Sequence, residues 1–179
     1  MEFIQQFIGQ ANKEGYTNIA SVDISKIEFE ESLRALCDQN ACGHFNKSWT
    51  CPPACGKIEE LRNKVLSFKD GILVQKVYTL EDSFDFEGMM EGQSNFDKLF
   101  SNMMDFNFNN NNKDHYSLKA GSCHLCETCT YPDKPCIYPD KARPSIEACG
   151  INVTSLCGSC GIPYMNGKNT VSYVALFLF

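Results

Sequence analysis

The sequence predicts an α+β domain in which a mostly antiparallel sheet packs against helices and cysteine-rich loops lie together at one end. Three observations predict this fold class. Apolar residues recur at helical spacing over residues 1–14, branched residues dominate residues 71–79, and a nearly all-apolar segment follows the Asn166–Gly167 pair. The 179 residues, 43% of them hydrophobic, suffice for a single domain, 1–179, with its own core.

In the first half of the chain, helical and strand patterns alternate. Residues 1–14 form an amphipathic pattern that Gly15 ends, and the β-branched run 71–79 is typical of a buried strand. The predicted elements are helices over residues 1–14, 29–36 and 57–68 and strands over residues 18–24 and 71–79.

In the second half, a charged stretch and an asparagine-rich stretch separate the periodic segments. We expect the acidic residues 80–92 and the low-complexity residues 107–113 to be surface loops. The other predicted elements are a helix over residues 94–106 with Ser94 as its N-cap, a strand over 115–121, one helical turn over 144–148 and a hairpin over 162–179 that turns at Asn166–Gly167. Its last strand is so apolar that we expect it to be central or covered on both faces.

Charge and hydropathy exclude several partner classes. A net charge of −6 argues against a nucleic acid held by a basic surface. The first ten residues, MEFIQQFIGQ, lack the basic start and long apolar run of a secretory signal. The longest apolar run, residues 174–179, is far shorter than a membrane span. We therefore expect a cytoplasmic protein with no nucleic-acid and no membrane partner.

The cysteines are the main functional signal. The chain has eleven, an odd count that suits metal ligation better than a disulphide framework when no export signal is present. Cys123, Cys126, Cys129 and Cys136 form a C-x2-C-x2-C-x6-C run, which brings four thiolates from one short loop. Thiolates so close repel one another unless a cation or a cluster holds them.

The spacing of this run favours an iron–sulphur cluster over zinc. Ferredoxin-type [4Fe-4S] sites also contain two successive C-x2-C steps, although here the last gap is longer and a proline precedes Cys136. Zinc sites usually pair two separated C-x2-4-C arms. Zinc remains the alternative cofactor.

Another cysteine group lies earlier in the chain. Cys37, Cys42, Cys51 and Cys55 occupy an irregular loop, and Pro52 and Pro53 hold Cys51 in an extended approach. The predicted helix after Cys55 would present free amides and partial positive charge to a thiolate. We predict that all four bind metal, in one or two clusters together with Cys123, Cys126, Cys129 and Cys136. The alternative is a set of buried structural thiols.

Other residues of the two loops, 37–55 and 121–160, carry open interpretations. Trp49 either packs in the core or shields a metal site from water, whereas His44 is expected to be a hydrogen-bonded loop histidine. Cys149, Cys157 and Cys160 either complete a further site or bind nothing.

Several phrases resemble one protein family. They are the Cys37–Cys42 pair, KSWTCPPAC, GSCHLCETCTYPDKPC, ARPSIEACGINV and NGKNTVSYVALFLF. Over residues 23–179 the chain resembles predicted metal-binding proteins grouped under a domain of unknown function, a cysteine-rich family frequent in anaerobic bacteria and archaea. The resemblance implies an iron–sulphur cluster without a settled reaction. It implies as ligands Cys37, Cys42, Cys51, Cys123, Cys126, Cys129 and Cys136, and it leaves out Cys149, Cys157 and Cys160.

Three functions compete. The first is a redox, electron-transfer or accessory role with one or two [4Fe-4S] clusters and a redox partner protein. The second is a zinc-stabilised structural or partner-binding module. The third is a cluster-dependent reductase or activator with an open iron site. The sequence has no phosphate loop, dinucleotide fingerprint or nucleophile elbow, and only three histidines, so it assigns no catalytic residue.

Overall fold

The computed structural model describes residues 2–110, 112 and 114–179, and it has the predicted α+β architecture. Within this part of the chain, five α-helices surround a four-stranded sheet. The helices are α1 (Glu2–Glu14), α2 (Glu31–Asp38), α3 (Ile58–Leu66), α4 (Phe86–Asn109) and α5 (Val153–Ser159), and the strands are β1 (Asn18–Val22), β2 (Gly71–Thr79), β3 (Tyr116–Lys119) and β4 (Thr170–Leu178). Two 3-10 turns, Ile24–Lys26 and Glu147–Cys149, complete the elements.

The sheet is antiparallel throughout, in the order β1-β2-β4-β3. β4 pairs with β2 along its whole length, with Leu73 opposite Leu176, and with β3 on its other edge. The prediction that the last, apolar strand is central is therefore confirmed.

Both faces of the sheet are buried, which explains why β4 is apolar at nearly every position. Val174, Leu176 and Leu178 point into one cluster, with α3 and α5, whereas Ala175 and Phe177 point into the other, with α1 and α4. Each large side chain buried in this way contributes about 1.5–3 kcal/mol to folding. The two clusters hold the sheet rigid beneath the cysteine loops.

The prediction that residues 80–92 form a loop and that the next helix begins at Ser94 is wrong. α4 begins at Phe86, and the Asp85 carboxylate caps it by accepting from the amide of Gly88 at 2.8 Å. Gly92 lies inside the helix, where a methyl group in place of its hydrogen would be 3.2 Å from Tyr78 and Tyr173. The absence of a side chain at this position thus lets α4 approach the sheet.

The asparagine-rich stretch is also only partly a loop. α4 continues to Asn109, and Asn107 is buried within it. Residues 111 and 113 lie outside the described residues. The helical spacing of Phe96, Phe100 and Met104 thus extends further than the composition indicates.

The predicted hairpin over residues 162–179 does not form. Ile162 packs in the core, and residues 162–166 form no strand. Gly167 has a positive φ of 99°. Both edges of β4 are already occupied by β2 and β3, so a hairpin partner has no free edge. Asn166 instead holds the turn through the carbonyl of Pro163, at 3.0 Å.

The remaining bounds shift by a few residues from those predicted. The strand 18–24 ends at Val22, where Asp23 caps a 3-10 turn, and the strand 115–121 contracts to Tyr116–Lys119. The helical turn 144–148 is the 3-10 turn Glu147–Cys149. In the described part of the chain, no helix has both the length and the apolar character that a bilayer crossing requires.

Candidate metal centre

The first cysteine group lies between α2 and α3. Cys37 is in the last turn of α2, and the other three follow in a segment of turns and bends. Cys42 is exposed, whereas Cys37, Cys51 and Cys55 are half-buried. Thiols at such positions remain reachable from solution while part of their surroundings is protein.

The second group lies between β3 and the 3-10 turn Glu147–Cys149, again without helix or strand. Its four cysteines are all half-buried: Cys123, Cys126, Cys129 and Cys136. The loop leaves β3 at the sheet edge, since the amide of Ala120 still bonds to the carbonyl of Val174 at 2.9 Å. The rigid sheet therefore positions the start of the loop.

The two loops contact each other, as predicted. Trp49 of the first loop donates its indole N–H to the carbonyl of Lys134 at 3.1 Å, and its ring meets that of Tyr131 edge-on at 4.9 Å. Tyr131 in turn donates its hydroxyl to Asn46 at 2.7 Å. Trp49 thus connects the two loops and lies outside both core clusters.

The cysteines of the first group act on one another. Burial raises the pKa of Cys37, the Arg34 guanidinium opposes this, and the neighbouring Cys42 and Cys55 raise it further. Burial likewise raises the pKa of Cys51 to about 11, with added effects from the same two cysteines. Such mutual repulsion is what a bound cation relieves.

The second group shows the same behaviour. Burial raises the pKa of Cys123, and Cys126 and Cys136 add to the rise. Burial is also the largest cause of the raised pKa of Cys126, followed by Cys136 and Cys129. These thiols are therefore within electrostatic reach of one another.

Cys129 differs, because its surroundings favour the thiolate. Burial acts to raise its pKa, but the amides of Tyr131 and Trp49 and the hydroxyl of Ser48 outweigh it, and the pKa is lowered. Trp49 and Ser48 belong to the first loop, so both loops act on the pKa of this one thiol. Because metals bind the thiolate, Cys129 fits the role of a ligand best.

Each group lines a cavity. All four cysteines of the second group border one space of about 570 Å³, which Trp49 and Thr50 of the first loop close from the other side. A second space, of about 450 Å³, is bordered by Cys37, Cys42 and Cys51. The four soft sulphur donors around the first space suit an iron–sulphur cluster or zinc.

Cys55 is separate from the other three members of its group. It borders a different space with Cys136, and its sulphur accepts from Arg34 at 3.4 Å. Arg34 also donates to the carbonyls of Ala148 at 2.7 Å and Gly56 at 2.6 Å. Nothing in the sequence marks Arg34, because its partners are far from it along the chain.

Side chains that converge as in a preassembled metal site are not found. Among residues 2–110, 112 and 114–179, no three Cys, His, Asp or Glu side chains are placed to hold one ion. The cysteines share cavities without closing on a common point. The ligand roles of Cys37, Cys42, Cys51, Cys55, Cys123, Cys126, Cys129 and Cys136 therefore stay predictions.

A hydrogen-bonded network adjoins the loop of the second group, residues 121–160, which is the main cysteine loop. Asp97 of α4 forms an ion pair with Lys119 and accepts from Nδ1 of His124 at 3.1 Å. Nε2 of His124 contacts the hydroxyl of Ser122 at 3.0 Å, and Ser122 contacts Nε2 of His44 at 3.3 Å. His44 is thus a hydrogen-bonded loop histidine, as predicted. The sequence offers no signal for Asp97, which lies in a helix remote from this loop.

Two of the remaining cysteines are structural. Cys149 and Cys157 are fully buried in the core, and burial raises the pKa of Cys149 to about 12 and that of Cys157 to about 11. Cys157 lies within α5, so the CGSCG phrase is a helix end and not a knuckle, and Cys160 follows directly. Both side chains pack among apolar neighbours of the core, whereas the predicted ligands are half-buried or exposed, so Cys149 and Cys157 act as small hydrophobic residues.

The comparison with known families agrees with this concentration of sulphur. Residues 20–179 match the model of the family described as "Predicted metal-binding protein (DUF2284)". No curated protein and no solved structure matches the chain significantly. The matched range contains both cysteine loops, strands β2, β3 and β4, and the end of β1. The chain belongs to this family of predicted metal-binding proteins.

Proposed function

We propose that the chain binds an iron–sulphur cluster through Cys123, Cys126, Cys129 and Cys136 and serves as a redox or electron-transfer accessory protein. The observation that carries the proposal is that all four of these cysteines border one cavity, and no aspartate in the described part of the chain is among the residues that line it. When bound, such a cluster supplies one-electron transfer at a potential set by its surroundings.

The protein's own contribution is to hold the thiolates and limit water. The amides of Tyr131 and Trp49 and the hydroxyl of Ser48 favour charge on Cys129. The edge-on rings of Trp49, from the first loop, and Tyr131, from the second, border the same cavity. Donors to sulphur and exclusion of water are the features by which a protein sets a cluster potential.

We extend the proposal to a second metal site in the first loop. Cys37, Cys42 and Cys51 border one cavity, whereas Cys55 is held away by Arg34. A site with three cysteine ligands would leave one metal position for a small molecule. That arrangement supports the alternative function of a cluster-dependent reductase or activator, with the cavity of about 450 Å³ as the place for its substrate.

The zinc-module alternative has less support. Small zinc domains depend on metal because they lack a core of their own. This chain buries a cluster of apolar residues on each face of its sheet. Metal is therefore not needed to build the core, which favours a chemical role for the cysteines.

We assign the redox partner to the exposed start of α4. Phe86 and Met90, on one face of the helix, are 68% and 71% exposed, and Gln93 on the same face contacts His124 of the main loop at 3.4 Å. Acidic residues surround this patch, including Glu87 and Glu91. An apolar patch with an acidic rim suits a protein partner with a basic surface.

The partner surface is tested with cytochrome c as a basic redox probe. We expect its reaction with the reduced protein to slow as salt rises, and to slow in the variant Glu87→Lys/Glu91→Lys. Met90→Ser removes an exposed methionine of the patch. Its matched control is Met165→Ser, at an exposed methionine outside the patch. Rates that depend on neither salt nor these residues would refute the surface.

The cluster itself is tested by redox cycling of protein purified without oxygen. We expect visible charge-transfer absorbance that dithionite bleaches and a mild oxidant restores. Colourless protein that contains zinc would instead support the structural module. Protein that stays colourless and free of metal after reconstitution with iron and sulphide would rule out both the cluster and the zinc-stabilised module.

A further inference from the structure

A small cavity lies between β3, α4 and the segment 141–143. Its volume is about 50 Å³, and it adjoins the main cysteine loop at Cys123. We propose that it binds a short-chain carboxylate of about the size of acetate. The binding itself does not depend on the proposed cluster.

Positive charge predominates on the cavity wall. Lys119, Lys141 and Arg143 line it, against the single carboxylate of Asp97. Asp97 is already neutralised by its ion pair with Lys119 and its contact with His124. The other two cations therefore face a space whose only carboxylate is occupied.

Arg143 has hydrogen bonds left to offer. Its Nη1 donates to the carbonyls of Pro139 at 2.8 Å and Ala142 at 2.9 Å. Its Nη2 and Nε find no protein acceptor among the described residues. Lys141 pairs with Asp105 at 2.6 Å and donates to the hydroxyl of Ser101 on the cavity wall at 3.4 Å, but the Asp105 carboxylate is half exposed and lies off that wall. A planar guanidinium with a free edge matches a carboxylate with two parallel hydrogen bonds.

Ser117 provides the second, independent observation. Its side chain lines the cavity, the residue is 1% exposed, and its hydroxyl has no partner in the described part of the chain. Alternation along β3 places Ser117 and Lys119 on the α4 face of the sheet, opposite Leu118. A buried hydroxyl without a partner is unfavourable, and a bound carboxylate oxygen would accept its hydrogen.

Size and apolar lining select the carboxylate. Each water molecule needs about 10–15 Å³ of cavity volume. A cavity of about 50 Å³ therefore holds about four non-hydrogen atoms, which is the number in acetate. Phe100 and Met104 supply an apolar wall on the α4 side, suited to a methyl group. A carboxylate here would lie beside Cys123, and a role for it as a substrate near the cluster rests on the proposed function.

Calorimetric titration with acetate at constant ionic strength tests the site. We expect saturable binding that weakens about tenfold or more in Arg143→Gln, because a hydrogen-bonded charge is lost. Acetamide, of the same shape but uncharged, should not bind. Lys141→Gln removes a lysine of the cavity wall. Its matched control is Lys98→Gln, at an exposed lysine of α4, which should bind acetate like the natural protein.

Two further variants make the outcome decisive. Ser117→Ala should weaken acetate binding while keeping or raising the melting temperature, because it removes an unpaired buried hydroxyl. Cys126→Ser should still bind acetate, so that failure of the cluster and failure of this site are distinguishable. Absence of saturable acetate binding, equal binding of acetamide, or tighter binding of phosphate than acetate would each overturn the proposal.

Discussion

Trp49 and Lys134 join the two cysteine loops through one hydrogen bond, from the indole N–H to a backbone carbonyl at 3.1 Å. The two residues are far apart in the sequence, and each lies in a segment without helix or strand. The same tryptophan borders the cavity of the second cysteine group. The single tryptophan of the chain thus links the position of one loop to the cysteine-lined cavity of the other.

Trp49→Phe should therefore loosen the proposed metal site of Cys123, Cys126, Cys129 and Cys136 without unfolding the protein. It keeps an aromatic ring against Tyr131 but removes the N–H donor, a loss of about 1 kcal/mol, or about fivefold in an equilibrium. We expect bound metal to be lost to an external chelator about fivefold faster. Tyr131→Phe, which removes the bond to Asn46, should act in the same direction. An unchanged rate of metal loss in both variants would show that these contacts between the loops do not stabilise the metal site.

The cysteines should divide into ligands and core residues. Cys126→Ser or Cys129→Ser should abolish most metal binding in the main loop, because a serine hydroxyl is a far weaker ligand than a thiolate. Cys157→Ser should leave the metal content per chain unchanged while it lowers stability by about 1–3 kcal/mol, since it buries a hydroxyl in the core. Metal analysis and thermal melts measure both effects, and Cys157→Ala separates polarity from loss of sulphur. Loss of metal in Cys157→Ser would contradict this division.

Arg34 should be a stability residue of the first loop. Its guanidinium bonds to the carbonyls of Ala148 and Gly56 and to the sulphur of Cys55, so Arg34→Gln leaves three acceptors without their donor. We expect a loss of about 2 kcal/mol in urea unfolding. Arg62→Gln is the matched control, because Arg62 is exposed and contacts only the ring of Phe29 at 5.1 Å, which accounts for about 0.5–1 kcal/mol. Equal effects of the two changes would refute the special role of Arg34.

The stability contributed by Asp97 should disappear in acid. Burial acts to raise the pKa of its carboxyl, but hydrogen bonds and charges from His124 and Lys119 outweigh it and lower the pKa. A lowered folded pKa means that the contribution is complete above the unfolded value of about 3.9 and is lost as pH falls through the folded value. Asp97→Asn should thus destabilise the protein at neutral pH and have no effect in strong acid.

Urea unfolding across this pH range measures that difference. Asp133→Asn, at an exposed position of the main loop, is the control for removal of a carboxylate. If Asp97→Asn is equally destabilising at both ends of the range, the ion pair with Lys119 is not the source of the stability.

The sequence predicted the sheet better than the connections. β2 and β4 are long, branched and apolar because both their faces are covered, and this leaves a strong local signal. The sequence does not indicate the start of α4, because an acidic run is typical of a solvated loop, whereas here Asp85 caps a helix and Glu87 favours its N-terminus. The hairpin was wrong because the Asn166–Gly167 signal is local, and the edges of β4 are filled by distant strands.

Within the site, the sequence indicated the sulphur but not its surroundings. C-x2-C spacing predicts that Cys123, Cys126 and Cys129 lie together, and these three border one cavity. The donors to Cys129 from Ser48 and the position of Asp97 beside His124 depend on how separate segments pack. No local pattern records such contacts, so only the folded structure shows them.

The central claim is that the main cysteine loop holds an iron–sulphur cluster, and metal stoichiometry tests it most directly. Iron, zinc and acid-labile sulphide should be measured per chain on protein purified without oxygen. The account predicts about four iron and about four sulphide for the main loop alone, and about eight of each if the first loop carries a second cluster. Zinc without sulphide, or no metal in protein that is fully folded, would contradict it.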